Sequence, residues 1–215
     1  MRRPVLSSFL LLVVLLASCS TSKERELSRY YDPQGLFAAS LPSANAISVA
    51  PAQPGNGGPG ILSGVISQPP APSPTPSGPL GGGIAQGLTQ QTTPTDQTIY
   101  EAFVVTTDVF DGLSDMSLYF VTGDPTIDLK DDGPIEVDGV PGRLVVADSL
   151  QGGTPRASLA VAMSLGRDGT GYLLAAIFPP GSWSAEEADF LRVVRSFRAD
   201  VPPGLRTFPV TSGSA

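Results

Sequence analysis

An acidic stretch near the middle of the chain concentrates the side chains that could bind a metal ion. Residues 123–139 read GDPTIDLKDDGPIEVDG and contain a single cation, Lys130. A calcium loop needs oxygen ligands at alternating positions and a closing glutamate at the twelfth. Counted from Asp128, the third position is Lys130 and the twelfth is Gly139, so the calcium interpretation fails. We expect a solvated acidic loop, or else a docking patch for a cationic partner, formed by Asp124, Asp128, Asp131, Asp132, Glu136 and Asp138.

Histidine is absent from the chain, and this limits the chemistry that the protein can perform. Without an imidazole there is no Ser-His or Cys-His nucleophile pair and no common general base near neutral pH. The run GILSG at 60–64 lacks the spacing of a nucleophile elbow. The run GGG at 81–83 lacks the preceding strand and following helix of a phosphate loop. The sequence therefore predicts no catalytic residue, no enzyme activity, no metal and no cofactor.

The single cysteine, Cys19, follows a short apolar segment at the start of the chain. A basic MRRP at 1–4 precedes the apolar residues 5–17, which is the layout of a secretory signal. This run is 13 residues long and includes Ser7 and Ser8, whereas a membrane-spanning helix needs ~20 residues. The run LASC at 16–19 resembles the lipobox of bacterial lipoproteins.

The lipobox resemblance implies a signal peptide at 1–18 and cleavage between Ser18 and Cys19. It also implies a diacylglycerol thioether on the Cys19 sulfur and an acyl chain such as palmitate on the new N-terminus. A thiolate is the nucleophile that accepts such a lipid, and two or more acyl chains give stable anchoring. We therefore expect an extracytoplasmic protein, lipid-anchored to the cell membrane, with the outer membrane as the alternative in a cell that has two.

The charge balance bears on the choice of partner. Removal of residues 1–18 leaves 11 basic and 20 acidic side chains, a net charge of −9. An acidic chain gains nothing from the release of phosphate counterions, so we expect no nucleic-acid partner.

Composition divides the chain into segments. We expect residues 19–29 to be a polar tether and residues 201–215 a flexible tail. Residues 50–95 contain 10 Gly, 10 Pro and no charged side chain, which predicts disorder. The remaining residues of 30–200 suffice for one domain. The Pro/Gly-rich stretch is then either an insertion in that domain or a linker to a downstream one.

Short apolar runs separated by turn residues predict antiparallel strands, partly joined as hairpins. The predicted strands are 36–41, 98–106, 116–123, 142–150, 157–165 and 170–178.

The run SWSAEEADFLRVVRSFRAD at 182–200 predicts an amphipathic helix packed on the sheet. Ser184 and Glu187 have the spacing of a capping box. The apolar stripe is expected at Ala188, Leu191, Val194 and Phe197. Trp183 is expected to staple the helix to the sheet rather than to bind a ligand.

The two ends of this domain resemble the PsbP-like family. The opening YYDPQGLFAASLP at 30–42 and the ending at 171–198, with Tyr172, Ser196 and Phe197, carry the resemblance. It implies an α+β fold, an antiparallel sheet flanked by helices, with the Pro/Gly-rich stretch as an insertion. The family includes extrinsic photosystem proteins, a Ran-binding relative and bacterial envelope lipoproteins, and it has no shared active site.

These inferences combine into a functional expectation. We expect a lipid-anchored envelope protein that acts as a non-catalytic binding or accessory module with an envelope protein as partner. The alternative is a carrier or receptor for a small apolar or lipid ligand held between the sheet and the helix.

Overall fold

A computed structural model describes residues 24–55, 58–70, 97–166 and 170–199. The strands in these ranges are β1 (Leu27–Tyr31), β2 (Phe37–Pro42), β3 (Ala46–Ala50), β4 (Ile61–Gln68), β5 (Ile99–Thr106), β6 (Ile127–Val137), β7 (Val140–Gln151), β8 (Thr154–Leu165), β9 (Thr170–Phe178) and β10 (Arg198–Ala199). The helices are α1 (Leu113–Ser117), continued by a turn of π-helix at Leu118–Thr122, and α2 (Trp183–Ser196).

The strands form two antiparallel sheets. The large sheet has the order β3-β4-β5-β9-β8-β7-β6, and the small sheet has the order β1-β2-β10. One apolar layer packs between the large sheet, α2 and the small sheet, and a second packs between the other face of the large sheet and α1 with the π-helical turn. The expectation of an α+β fold with an antiparallel sheet and a C-terminal helix packed on it is confirmed.

The Pro/Gly-rich stretch interrupts one domain and does not separate two. Strand β4 lies within the stretch and pairs on one side with β3, which precedes most of the stretch, and on the other with β5, which follows it, with Ile66 opposite Glu101. Near the two ends of the domain, β2 pairs with β10, with Ala38 opposite Arg198. These pairings join the residues before and after the stretch into a single fold.

The expectation of disorder throughout 50–95 is wrong for residues 61–68, which form β4. This strand lies between β3 and β5, and its residues Ser63, Val65 and Ser67 are fully buried. The composition was averaged over the whole stretch, and the average concealed the eight-residue run ILSGVISQ. Apolar and small residues in this run allow a strand to pack on both of its faces. Ala50 also belongs to a strand, β3, and Gln53 forms a β-bridge with Ile61. Residues 56–57 and 71–95 of the predicted disorder lie outside the described residues.

Gly64 illustrates why this strand needs a glycine. A Cβ placed there would lie 2.2 Å from the Cδ1 atom of the Phe103 ring. We expect Gly64→Ala to lower the free energy of unfolding by about 2 kcal/mol, because the packed ring must move. Gly133→Ala is the matched control, since a Cβ at that strand glycine meets nothing within 4 Å. Equal effects in chemical denaturation of the two variants would contradict the close packing.

Residues 116–123, predicted as a strand, are helical instead. They span the end of α1 and the π-helical turn. Met116, Phe120 and Val121 are buried while Leu118 and Tyr119 are 54% and 45% exposed. The buried positions follow the i, i+4 spacing of a helix, but a short apolar run does not distinguish that spacing from a strand.

The acidic stretch, predicted as a loop, contains the whole of β6, which lies at the edge of the large sheet. An edge strand exposed along much of its length shows little apolar alternation, so sequence periodicity missed it. Asp138 and Gly139 form the tight turn to β7, with φ of 51° and 74°. Positive φ at both central residues is the geometry that favours Asp-Gly in two-residue hairpins.

The expected tether at 19–29 is shorter than predicted, because residues 27–29 belong to β1. Strand β1 pairs along its whole length with β2, from Leu27 opposite Pro42 to Tyr31 opposite Ala38. The polar composition of ELSR at 26–29 hid a strand that lies at the edge of the small sheet.

Helix α2 is present as predicted, but two of its details differ. Ser182 precedes the first turn and its hydroxyl donates to the Pro179 carbonyl at 2.8 Å, so the capping box at 184 and 187 is wrong. Ala188 is exposed, and the buried face of the helix consists of Phe190, Val193 and Val194. Trp183 packs on strand β9 as expected, with its ring centroid 5.8 Å from that of Phe178.

Candidate functional site

The opening and closing segments of the domain meet in the structure. The ring of Phe37 stacks on that of Phe197 with centroids 5.7 Å apart, and Tyr172 lies 5.4 Å from Phe197. The Ser40 amide donates to the Ser196 hydroxyl oxygen at 2.7 Å. The residues that carry the sequence resemblance therefore form one packed junction, and their role there is structural.

A buried carboxylate lies at the first turn of the domain. Asp32 is 1% exposed and accepts hydrogen bonds from the Leu36 amide at 2.9 Å and the Ser63 hydroxyl at 2.5 Å. The Gly35 amide donates to the Asp32 carbonyl, which closes a tight turn. Burial, and secondarily the charge of Asp32, raises the pKa of the Tyr30 hydroxyl well above its usual range. Asp32 thus connects the β1–β2 turn to the large sheet.

The N-terminal end of the domain is held against α2 by Arg25. Its guanidinium donates to both carboxylate oxygens of Glu186, to the Tyr100 hydroxyl at 2.8 Å and to the Thr98 hydroxyl at 3.4 Å. The Arg192 guanidinium in turn donates to the Arg25 carbonyl at 3.1 Å. We call this group of residues the Arg25 clamp. It determines where the chain that precedes residue 24 leaves the domain.

Ionisation states within the clamp follow from burial and charge. Burial is the largest single influence on the pKa of Arg25 and lowers it, but the hydrogen bonds and charge interactions with Glu186 and Tyr100 together outweigh burial and leave the pKa raised. Burial raises the pKa of Tyr100 to about 12, against an ordinary value near 10. The clamp is therefore fully formed across the physiological pH range, with Arg25 charged and Tyr100 neutral.

The raised pKa of Tyr100 predicts a loss of stability in alkali. Between about pH 10 and pH 12 the unfolded chain has lost this proton while the folded chain keeps it, so stability falls as pH rises. We expect Tyr100 to contribute about 2 kcal/mol to this loss, measured by denaturant titration at each pH; Tyr30, whose pKa is also raised, adds to the total in every variant. Tyr100→Phe should flatten the fall, and Tyr119→Phe, which removes an exposed hydroxyl, should not. Equal slopes in the two variants would contradict the assignment.

The six predicted docking carboxylates are divided by the structure. Three are ion-paired within the chain: Asp128 with Lys130 at 2.7 Å, Asp132 with Arg143, and Asp138 with Arg198 at 3.6 Å. The hydrogen bond from Arg143 holds the pKa of Asp132 below its usual range.

The other three carboxylates have no cationic partner within 4.0 Å among the described residues. Asp124 accepts from the amide and hydroxyl of Thr126 in a turn. Asp131 and Glu136 are five positions apart on β6, so they point to opposite faces of the strand. The docking patch stays a prediction, and the structure does not bring its members onto one surface.

A groove lies between the β6–β7 hairpin and α2. Its volume is about 590 Å³, its floor is apolar, and its rim carries charges of both signs. No acidic side chain lies within 4.0 Å of the Arg195 guanidinium among residues 24–55, 58–70, 97–166 and 170–199. The lining residues are Ile135, Glu136, Asp138, Gly139, Leu191, Val194, Arg195 and Arg198.

The described ranges give no sign of other chemistry. They contain no cluster of three or more metal-ligating side chains, and none of their helices is both long and apolar enough to cross a bilayer. Cys19 and Ser18, the predicted lipidation and cleavage residues, lie outside the described residues.

The seven-stranded antiparallel sheet, with helices on both faces and a small sheet joining the two ends of the chain, defines an α+β domain. This is the fold of cyanobacterial PsbP, as its solution structure from Synechocystis sp. PCC 6803 shows. The match has a TM-score of 0.50 and 15% sequence identity, and it covers 86% of this chain and 99% of that one. The fold implied by the sequence resemblance is confirmed.

Two further solved structures are similar at lower scores. LpqN, involved in cell envelope biogenesis of Mycobacterium tuberculosis, has a TM-score of 0.40 and 10% identity over 81% of this chain and 91% of its own. The Saccharomyces cerevisiae Ran-binding protein Mog1p has a TM-score of 0.44 and 10% identity over 82% of this chain and 97% of its own. No protein-family model and no curated protein sequence matches the chain.

Sequence reasoning did not find the Arg25 clamp or the groove. Arg25 lies 161 positions before Glu186, and no local pattern pairs residues that far apart. The groove likewise depends on α2 lying against a hairpin that was predicted to be a loop. The clustered arginines at the end of α2 were visible in the sequence, but their neighbours were not.

Proposed function

We propose that this protein is a lipoprotein, anchored through Cys19, whose PsbP-like domain is a non-catalytic accessory module on the extracytoplasmic side of a membrane. The observation that carries the proposal is the lipobox LASC, placed five residues before the described domain begins at Glu24. The Arg25 clamp supports it, because the clamp fixes the exit point of the chain beside α2.

The length of the connection constrains where the module works. Arg25 lies six positions after Cys19, and an extended chain covers about 3.5 Å per residue. The clamped end of the domain therefore lies within about 20 Å of the lipid anchor. A partner of this module must reach the same layer next to the membrane.

Two observations favour a non-catalytic role. The chain has no histidine, and the two buried carboxyl groups in the part of the chain that the structure describes do not form a pair. Asp32 bonds to Ser63, whereas Glu101 projects from the opposite face of the sheet, the one that carries Ile99 and Phe103. A general acid and base cannot share a substrate through the sheet.

The ligand-carrier alternative gains no support from the packing between the large sheet and α2. Leu174, Ala176 and Phe178 on β9 are fully buried against Phe190 and its neighbours on the helix. Side chains already fill the place where an apolar ligand would lie. The packing therefore favours a module that binds a protein partner over a carrier of an apolar ligand.

Substitution of Cys19 tests the anchor. We expect Cys19→Ala to prevent lipidation and to move the protein from the lipoprotein fraction, because the thiol that accepts the lipid is gone. The measurement is metabolic labelling with a radioactive or clickable palmitate, combined with membrane fractionation after detergent-phase separation. Ser20→Ala is the matched control and should stay labelled. Equal labelling of the two variants would refute lipidation at Cys19. Absence of label from the parent chain would refute it as well.

A second experiment tests the accessory role separately from the anchor. In-cell crosslinking and mass spectrometry of the tagged full chain should capture a specific envelope protein above the background of an untagged strain. Deletion of residues 71–95 in a parallel strain reports whether that segment takes part. A lipidated protein that captures no partner would refute the accessory role and leave the anchor intact.

A further inference from the structure

The two edges of the large sheet are built differently. The β6 edge carries five charged side chains, Pro134, and an irregular register between Leu129 and Asp131. Charges, proline and bulges are the features that prevent an edge strand from pairing with another chain. The β3 edge, residues 46–50, has none of these features.

Strand β3 is also unusually apolar for an exposed position. Ile47 and Val49 are 38% and 45% exposed, and both point to the face of the sheet that carries Val65. No charged residue occurs anywhere between positions 33 and 95, although the chain carries 20 acidic side chains. A second molecule of this acidic protein meets no like charge at this edge.

The outer side of β3 offers free backbone groups. Ala46 and Gln68 are the last pair of the β3–β4 ladder, and the next residue, Pro69, has no N–H to donate. Ala46 and Gln68 must therefore be a hydrogen-bonded pair, in which each backbone N–H donates to the C=O of the other residue. Because such pairs alternate along an antiparallel ladder, the even-numbered residues of β3 direct their N–H and C=O groups towards β4. Ile47 and Val49 direct their N–H and C=O groups away from β4, where no described strand pairs with them.

The sequence of β3 is a palindrome of residue types. It reads Ala-Ile-Ser-Val-Ala, with a β-branched residue on each side of Ser48 and an alanine at each end. Two copies related by a two-fold axis place residue i of one against residue j of the other and j against i. An axis at Ser48 sets Ile47 of each copy opposite Val49 of the other.

We propose that two copies of this chain pair through β3, antiparallel about a two-fold axis at Ser48, into a continuous fourteen-stranded sheet. Ile47 of each copy exchanges two backbone hydrogen bonds with Val49 of the other, and their side chains form two β-branched cross-strand pairs. Ser48 lies opposite its counterpart in a pair without hydrogen bonds. The interface is small, so trapping it covalently is the appropriate measurement.

A cysteine at the axis tests both the interface and its register. In a pair without hydrogen bonds the Cα atoms are about 4.5 Å apart, which a disulfide spans. We expect full-length Ser48→Cys, oxidised in intact cells, to give at least about tenfold more disulfide-linked homodimer on a non-reducing gel than Ala46→Cys. The two Ala46 positions are about 13 Å apart in the proposed dimer, too far for a disulfide. Equal crosslinking of the two variants would overturn the proposal.

A second variant tests the apolar contact. Adding Ile47→Lys to the Ser48→Cys chain should reduce the crosslinked dimer to the level of Ala46→Cys, because lysine introduces a charge where β-branched residues pair. Leu129→Lys is the matched control, a similarly exposed apolar residue on the opposite edge, and should leave the yield unchanged. Unchanged crosslinking after the addition of Ile47→Lys would overturn the proposal. It would also be overturned if the Ser48→Cys chain formed disulfides only with a different protein and not with a second copy of itself.

Discussion

Replacing Phe190 with alanine is expected to lower the free energy of unfolding by about 4 kcal/mol. The side chain is fully buried in the middle of α2, with its ring 6.3 Å from that of Phe178 and 6.0 Å from that of Trp183, centroid to centroid. Truncation removes the transfer free energy of the ring and leaves a cavity that the surrounding sheet cannot fill. The measurement is the denaturant midpoint of the variant compared with that of the parent chain.

Tyr119→Ala is the matched control for this prediction. Tyr119 is also an aromatic residue on a helical turn, but it is 45% exposed, so its truncation is expected to cost less than about 1.5 kcal/mol. Phe190→Leu should lie between the two. A loss in Phe190→Ala no larger than in Tyr119→Ala would mean that α2 does not pack on the sheet through this ring.

Asp32→Ala is expected to lower the free energy of unfolding by about 3 kcal/mol. The substitution leaves the Leu36 amide and the Ser63 hydroxyl without their acceptor, at a site that is 1% exposed. A buried donor without a partner costs about 1 to 3 kcal/mol. Asp32→Asn should lose less, because its amide oxygen still accepts from the Leu36 amide.

A double-mutant cycle identifies the contact responsible. If the Asp32–Ser63 hydrogen bond stabilises the turn, Ser63→Ala and Asp32→Ala together should cost at least about 0.5 kcal/mol less than the sum of their separate effects. Asp124→Ala is the control, since its carboxylate bonds to Thr126 at an exposed turn and should cost under about 1 kcal/mol. Additive effects at Asp32 and Ser63 would refute the coupling.

Local sequence patterns predicted those strands and that helix in which the spacing of apolar residues matches the pattern of burial in the fold. The strands β5, β7, β8 and β9 and the helix α2 lie where apolar runs and turn residues placed them. Their residues are buried on both faces or along one stripe, so the pattern of side chains reflects the final environment directly.

The errors share a different origin. Strands β1 and β6 lie at sheet edges, so their side chains face water and their sequences lack an apolar alternation. Residues 116–122 form helical turns because Met116, Phe120 and Val121 cover the sheet, a contact that their own short sequence does not encode. Strand β4 was hidden within a stretch whose average composition indicates disorder.

The sequence by itself determined the properties that depend on covalent chemistry and composition. These are the missing imidazole, the acidic charge and the α+β pattern, whereas the lipid site at Cys19 stays a prediction. Only the tertiary structure decided which distant side chains meet. It placed Arg25 on Glu186 and Asp32 on Ser63, paired three of the six acidic residues with cations, and put β3 at the edge of the large sheet. Such contacts depend on strand order and register, which are set by packing of the whole chain and not by any local pattern.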